Sequence, residues 1–430
     1  MRRKAYRSTE VKHVELELVL SRGPQGPVTV GLDVGKFVIY VVVRWSDGSF
    51  ERPWRVENPS EIESLVRLLV ALAASRKMTV AMESTGTYGD ALRGKLSAAG
   101  LVLHRVGGKA ASDYAEIFDG VPSQHDGKDA AVVAELAAIG KSRAWPCRQP
   151  SDADAAMAYW VDWLDAQQSI QKLWTGRLEA LLARHWPECT RMIKLTSVSL
   201  LSALGHYGGP AGMADDPAAQ AQMAKWGHGG LSKAKIELFV GSAARTVGLR
   251  QGPRDKERMQ QYARLALAAY RECQQAREEL AKLALENAVI QRQARAVGEA
   301  TACVLWVALG DPRSYSSGAA YRKAMGLNLK ERSSGRYQGH LKISKRGPSI
   351  VRRWMYFASM RAVQDYGRAW YEAKKAKDND RGMGALIAVM RKLALATYVV
   401  GARDEMFDPA RLFPGKRGKQ RRAAEATTKS

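Results

Sequence analysis

Three extended runs followed by an alternation of strands and helices leave this chain few ways to begin folding. Val28–Val34 is a short apolar run, and Phe37–Arg44 (FVIYVVVR) is dense in β-branched and aromatic residues. Asp47-Gly48 signals a turn, and Phe50–Val56 resumes in an extended style. Asn58-Pro59-Ser60 opens a helix with Ile62, Leu65, Val66, Leu69 and Leu72 at helical spacing. Met78–Met82 and Leu101–Val106 read as further strands, Thr87–Ala98 and Asp126–Ile139 as helices. The order β-β-β-α-β-α-β-α predicts a mixed sheet covered by helices.

That order is the one found in ribonuclease-H-like nucleases, so residues 28–146 are expected to form an α/β domain of that kind. From Ser151, a good N-cap, the pattern turns helical, with Met157, Trp160, Leu164, Leu173, Leu178 and Leu181. A second long helix starts near Asp255. Met259, Tyr262, Ala266, Ala269, Cys273, Ala276, Leu280, Leu283, Asn287 and Ile290 trace a heptad seam along it. Asn287 falls where a buried Asn would fix register and oligomer number. The seam can meet another chain or the chain's own helix after Ser151.

Residues 147–295 are thus a long helical, coiled-coil middle with an inserted subdomain, 190–253. Residues 296–410 form a mainly helical C-terminal domain with helices near Ser349–Asp365 and Gly382–Val400. Residues 1–27 read as a loose basic leader and 411–430, with GKRGKQRR at Gly415–Arg422, as a basic tail.

The net charge is +24, and from Asp311 to Ser430 there are 27 Lys and Arg against 10 Asp and Glu. A polyanion is the natural partner, and the C-terminal part is its main contact. Cys147, Cys189, Cys273 and Cys303 have no CxxC spacing, which argues against a zinc site or a disulfide framework. Glu15 and Glu17 interrupt any signal-peptide core, and no stretch reads as a membrane span. A cytoplasmic, nucleoid-associated protein with no membrane partner is expected.

Two constellations could carry chemistry. Asp33 closes the first strand and Glu83 the fourth, while Asp126 and Asp129 lie three apart at the start of a helix and share a face. Four carboxylates brought together repel and raise one another's pKa, and a divalent cation resolves that conflict. Mg²⁺ takes oxygen ligands, and a pair of ions serves phosphodiester transfer. Each acid alone could equally be a strand-end cap or a helix N-terminal charge. The second constellation runs from Gly326 to Gly347, where Ser333 and Ser334 sit in a Gly-flanked loop among Arg332, Arg336, Lys342, Lys345 and Arg346. With Arg352 and Arg353 these cations suit phosphate contacts, and the serine motif by composition is a loop.

The motifs GLDVGK at Gly31–Lys36, ESTGTY at Glu83–Tyr88, HDGKDA at His125–Ala130, GLNLKERSSG and ISKRG occur in one order along nearly the whole chain, about Val28 to Phe413. In that order they resemble the DEDD transposases of bacterial insertion sequences, relatives of the Piv invertase described as bridge-RNA-guided serine recombinases. The resemblance implies a RuvC-like first domain whose Asp33, Glu83, Asp126 and Asp129 bind Mg²⁺, two ions per site. It implies a C-terminal transposase domain whose Ser334, with Ser333 the lesser candidate, attacks the DNA backbone to form a phosphoserine. Donor and target DNA, a structured guide RNA from the element's flank, and dimers pairing into tetramers come with it. The third motif opens here with Gln124-His125, and His125 is a bystander or a residue that orients a ligand. Two other readings use the same residues: a metal nuclease of the Holliday-junction-resolvase kind acting with water, and a non-catalytic nucleic-acid scaffold.

Overall fold

The computed structural model describes residues 8–413 except 85, 119–125, 146, 148–149, 332, 335–336, 339–340 and 380. The chain divides into two units, Met1–Gln149 and Pro150–Ser430.

The first unit is built on a seven-stranded sheet. In chain order it contains β1 (Thr9–Glu10), α1 (Leu16–Arg22), β2 (Val28–Val34), β3 (Val38–Arg44), β4 (Trp54–Glu57), α2 (Ile62–Ser75) and β5 (Met78–Glu83). There follow α3 (Asp90–Ala98), β6 (Leu103–Val106), α4 (Gly108–Phe118), α5 (Asp126–Ala138) and β7 (Ser142–Ala144). The strand order is β1-β4-β3-β2-β5-β6-β7. β3 is antiparallel to both β2 and β4, and β2, β5 and β6 run parallel. The β2–β3 hairpin and the return to β4 follow from local signals. At the second turn Asp47 accepts the Ser49 N–H at 2.9 Å, and Gly48 takes φ 91°.

Burial explains the patterns. Val30, Leu32, Ile39, Val41 and Val43 are inaccessible to solvent, as are Leu65, Leu69 and Leu72 of α2. Each such side chain contributes about 1.5–3 kcal/mol over an exposed one. The expected strands and helices are present, with α4 and β7 added. Ala111, Tyr114 and Phe118 of α4 pack on Val106 and Val132 at helical spacing. The loose leader is a correction: Thr9–Glu10 extends the sheet beside β4, and Val11 and Val19 are buried in the core. The basic excess of residues 1–27 comes from Arg2, Arg3, Lys4 and Arg7, whereas Thr9–Arg22 carries three glutamates against Lys12 and Arg22 and has apolar side chains to bury.

The second unit is helical. α6 (Asp152–His185) and α12 (Pro253–Leu285) form a long hairpin. Between them lie α7 (Cys189–Met192), α8 (Val198–Tyr207), α9 (Pro210–Ala214), α10 (Ala219–Gly227) and α11 (Lys233–Ala244), which share a core with both. Next come α13 (Ala288–Val297), α14 (Glu299–Leu309) and α15 (Gly318–Ala324). Two nested ribbons follow, β8 (Leu329–Lys330) with β11 (Lys342–Ile343), and β9 (Ser333–Ser334) with β10 (Tyr337–Gln338). The unit closes with α16 (Ser349–Ala362), a π-helical turn, α17 (Arg368–Lys377), α18 (Gly382–Ala402) and α19 (Pro409–Leu412).

The seam on α12 meets α6 of the same chain. Met259, Ala263, Ala266, Ala269, Cys273, Ala276, Leu280 and Ala284 are its buried residues. Small side chains let the backbones approach, and Trp163 Nε1–H of α6 donates to Glu272 across the pair at 3.0 Å. Asn287 lies outside the seam. α12 stops at Leu285, and the Asn287 side chain caps α13 by accepting the Val289 and Ile290 N–H groups at 2.9 and 3.2 Å. The absence of a membrane-length apolar stretch is also corrected. α18 has the length and composition to cross a membrane, with mean hydropathy 1.6. Here Leu386, Val389, Met390 and Leu393 of this helix lie in a core with Tyr321, Val351 and Met355.

Candidate metal centre

Two adjacent parallel strands deliver the first two acids. Leu32 of β2 is level with Met82 of β5, so Asp33 and Glu83, the next residues, lie at the same end of the sheet. α5 delivers the others because Gly31 lets it settle on β2. A Cβ at Gly31 would stand 2.0 Å from the Ala130 carbonyl oxygen and 2.6 Å from the Ala134 nitrogen, both backbone atoms. An ion pair between Arg44 of β3 and Glu135 ties the same helix to the sheet. The first turn of α5 then carries Asp126 and Asp129 to the end of β2.

One carboxylate oxygen from each of Asp33, Asp126 and Asp129 lies within 4.8 Å of the other two. Glu83 stands beside this group rather than in it, and its charge acts on Asp33. Gly108 makes room for it: a Cβ there would fall 2.3 Å from Glu83 Oε1. Burial, reinforced by the charges of Asp129, Asp126 and Glu83, pushes the Asp33 carboxyl up to about 6. Burial and then Asp129 also raise Glu83 above the ordinary carboxylate range. Lys128, between the two aspartates of α5 and only 2% exposed, is a buried cation in the same turn that the sequence pattern did not single out. The donor set is carboxylate oxygen without sulfur or imidazole, which fits a hard divalent cation such as Mg²⁺.

The second constellation is assembled from its two motifs. Lys345 N–H donates to the Gly326 carbonyl at 3.0 Å, and Ser344 N–H to that of Asn328 at 2.8 Å. Gly347 is pressed on the end of α15, where a Cβ would lie 2.2 Å from the Ala324 carbonyl oxygen. These contacts close the base of the ribbons that carry the serines. In the inner ribbon Ser334 is level with Tyr337 and Ser333 with Gln338. Lys342, Lys345 and Arg346 are exposed. Arg352 instead holds the motif together, donating to the Gly347 carbonyl at 2.6 Å and the Pro348 carbonyl at 3.3 Å. Arg353 pairs with Asp165 of α6. Arg332, Arg336, His125 and the tail Gly415–Arg422 lie outside the described residues.

Comparison with known proteins gives matches at both ends of the chain. Residues 30–187 match a DEDD-type family model described as "Transposase". Residues 292–374 match the model "Transposase IS116/IS110/IS902 family". No curated protein matches the chain. Among solved structures, RuvC of T. thermophilus in complex with a Holliday junction substrate aligns with 28% of this chain and 99% of its own. Its identity is 12% and its TM-score 0.23.

Proposed function

The chain belongs to the DEDD transposases of the IS116/IS110/IS902 insertion-sequence family, and on that premise we propose that it exchanges donor and target DNA strands through a phosphoserine on Ser334. The observation that carries the reading is the carboxylate group of Asp33, Asp126 and Asp129, with Glu83 beside it. Four acids gathered at one sheet end, with Asp33 and Glu83 held above the ordinary carboxylate range, are poorly suited to a purely structural role. The sheet supports the same reading. In the order β4-β3-β2-β5-β6 only β3 runs against the rest, as in the ribonuclease-H-like, RuvC-like arrangement.

In this account Asp33, Glu83, Asp126 and Asp129 hold two Mg²⁺ ions. Bound Mg²⁺ offsets the carboxylate repulsion and stabilises charge on the phosphate. The Ser334 hydroxyl oxygen bonds to phosphorus as the P–O bond to one deoxyribose breaks. The serine gives up its proton and the departing sugar oxygen takes one up. The phosphodiester's energy is kept in the serine ester, so a second sugar hydroxyl can attack it, free Ser334 and seal a new junction. Lys342, Lys345 and Arg346, with Arg332 and Arg336, position backbone phosphates around the serine and carry no sequence information. A structured guide RNA pairing with both DNAs supplies the sequence reading. That part, like the assembly of dimers into tetramers in which one chain's acids serve another chain's serine, rests on the family resemblance of the motifs.

The test is recombination in cells that carry the gene with its native flanking DNA, a donor plasmid and a target plasmid. Wild type should give defined junctions. Asp126→Ala should give none while remaining folded and able to bind nucleic acid. Wild-type junction yields from Asp126→Ala would remove the metal-site assignment.

A further inference from the structure

Outside the two motifs, α15 and α18 bring a pair of arginines together. The helices run antiparallel where they touch. Gly318 at the start of α15 faces Leu395 and Tyr398, and a Cβ there would lie 3.0 Å from an atom of each. One turn further along α15 and one turn back along α18, this register brings Arg322 within electrostatic range of Arg391. Both are half-buried, and the Nε of each is sealed from solvent without a hydrogen-bond partner. Burial first, and then the charge of Arg322, pull Arg391 below the ordinary arginine range, with no carboxylate opposing them.

Desolvated guanidiniums normally pair with acids, because burying an unmatched charge is costly and burying two side by side more so. The sealed Nε atoms cannot reach an anion from outside, so the terminal guanidinium N–H groups are the donors such a pair leaves for one. Guanidinium forks match the oxygens of phosphate. The location narrows the anion's identity. α15 runs directly into Gly326-Leu327-Asn328, and the Leu327 N–H donates to the Arg322 carbonyl at 3.2 Å. That turn is bonded to Ser344 and Lys345 at the base of the ribbons that carry Ser334.

We propose that Arg322 and Arg391 form a binding site for a backbone phosphate of nucleic acid, at the root of the serine ribbon. This deepens the transposase reading and rests on it for the source of the phosphate. Both positions lie within the basic stretch from Asp311 to Ser430, but charge density along the sequence does not reveal that they meet.

The test uses the full chain. The first probe is inorganic phosphate against chloride at matched ionic strength, read by thermal unfolding and by hydrogen exchange of α15 and α18. Phosphate should raise the wild-type melting temperature and slow exchange in those two helices. Arg322→Gln and Arg391→Gln should lose both responses and melt no lower than wild type in chloride, since each removes a repulsive charge. The second probe is binding to duplex DNA and to a structured RNA across a salt series. Each variant should flatten the slope of log affinity against log salt by about 0.9 for a duplex contact or about 0.7 for a single strand. The nucleic acid whose slope changes is the one held there. Absence of phosphate-dependent protection in wild type would overturn the proposal, even if both variants failed to fold. Variants with wild-type slopes on both nucleic acids would also overturn it. No recombination by wild type in cells, with its phosphate response intact, would count against the transposase reading and leave the anion site standing.

Discussion

Replacing Asp33 with Asn should stabilise the metal-free protein. The Asp33 carboxyl is raised from 3.8 to about 6 by burial and by Asp129, Asp126 and Glu83. A raised folded-state pKa means that the folded protein holds this proton more tightly than the unfolded chain. Stability therefore falls as pH climbs from near 4 to near 6, and the full penalty is present above that. The difference corresponds to about 3 kcal/mol at most, and partial solvent contact at Asp33 lowers the usable figure to about 1–2 kcal/mol. Asn is nearly isosteric, and its side-chain oxygen can still accept the Val34 N–H that Asp33 accepts. In EDTA at pH 7.5, hydrogen exchange in β2 and β5 should therefore be slower in Asp33→Asn than in wild type. The two should converge near pH 4. With Mg²⁺ the order should reverse, because wild type gains about 2.7 kcal/mol when the ion is present at a hundred times its dissociation constant. Faster exchange in Asp33→Asn than in wild type in EDTA at pH 7.5 would refute the reasoning, since the acids would then not be repelling one another.

Gly31→Ala should cost about 3 kcal/mol in urea unfolding and abolish stabilisation by Mg²⁺. The new methyl meets backbone of α5 that must lift away, taking Asp126 and Asp129 with it; an unchanged Mg²⁺ response would show that α5 is not held by this contact. Asn287→Ala should lower stability by about 1 kcal/mol in thermal or denaturant unfolding, through the lost cap of α13. If Asn287 were instead a buried seam residue, Asn287→Leu would raise stability and change the oligomer number, and sedimentation would detect it.

The sheet was legible because β2, β3 and α2 alternate or repeat their apolar residues in step with burial, from Val30 and Val41 to Leu65 and Leu72. The acids were legible for a local reason. Asp33 and Glu83 end strands, and Asp126 and Asp129 are spaced to share a helix face. The heptad seam was legible as a seam but not as to partner, since Ala and Cys side chains look alike to another chain or to the chain's own α6. Asn287 misled because residue spacing does not show where α12 stops. The segment at Thr9–Arg22 was hidden by the basic residues ahead of it, Arg2, Arg3, Lys4 and Arg7, although Val11 and Val19 already supplied an apolar face. Arg322 and Arg391 were invisible because their pairing depends on two helices about seventy residues apart in sequence.

The central claim is that DNA strands are broken by a serine of this chain and not by water. The most direct measurement is to incubate the purified protein with RNA transcribed from the DNA flanking its gene, labelled donor and target DNA and Mg²⁺, denature the mixture, and look for DNA attached to protein. The account predicts an adduct that maps by mass spectrometry to Ser334 and vanishes in Ser334→Ala and in Asp126→Ala. Cut DNA with free phosphate ends and no attached protein, at the same rate in wild type and Ser334→Ala, would contradict it and assign the attack to water.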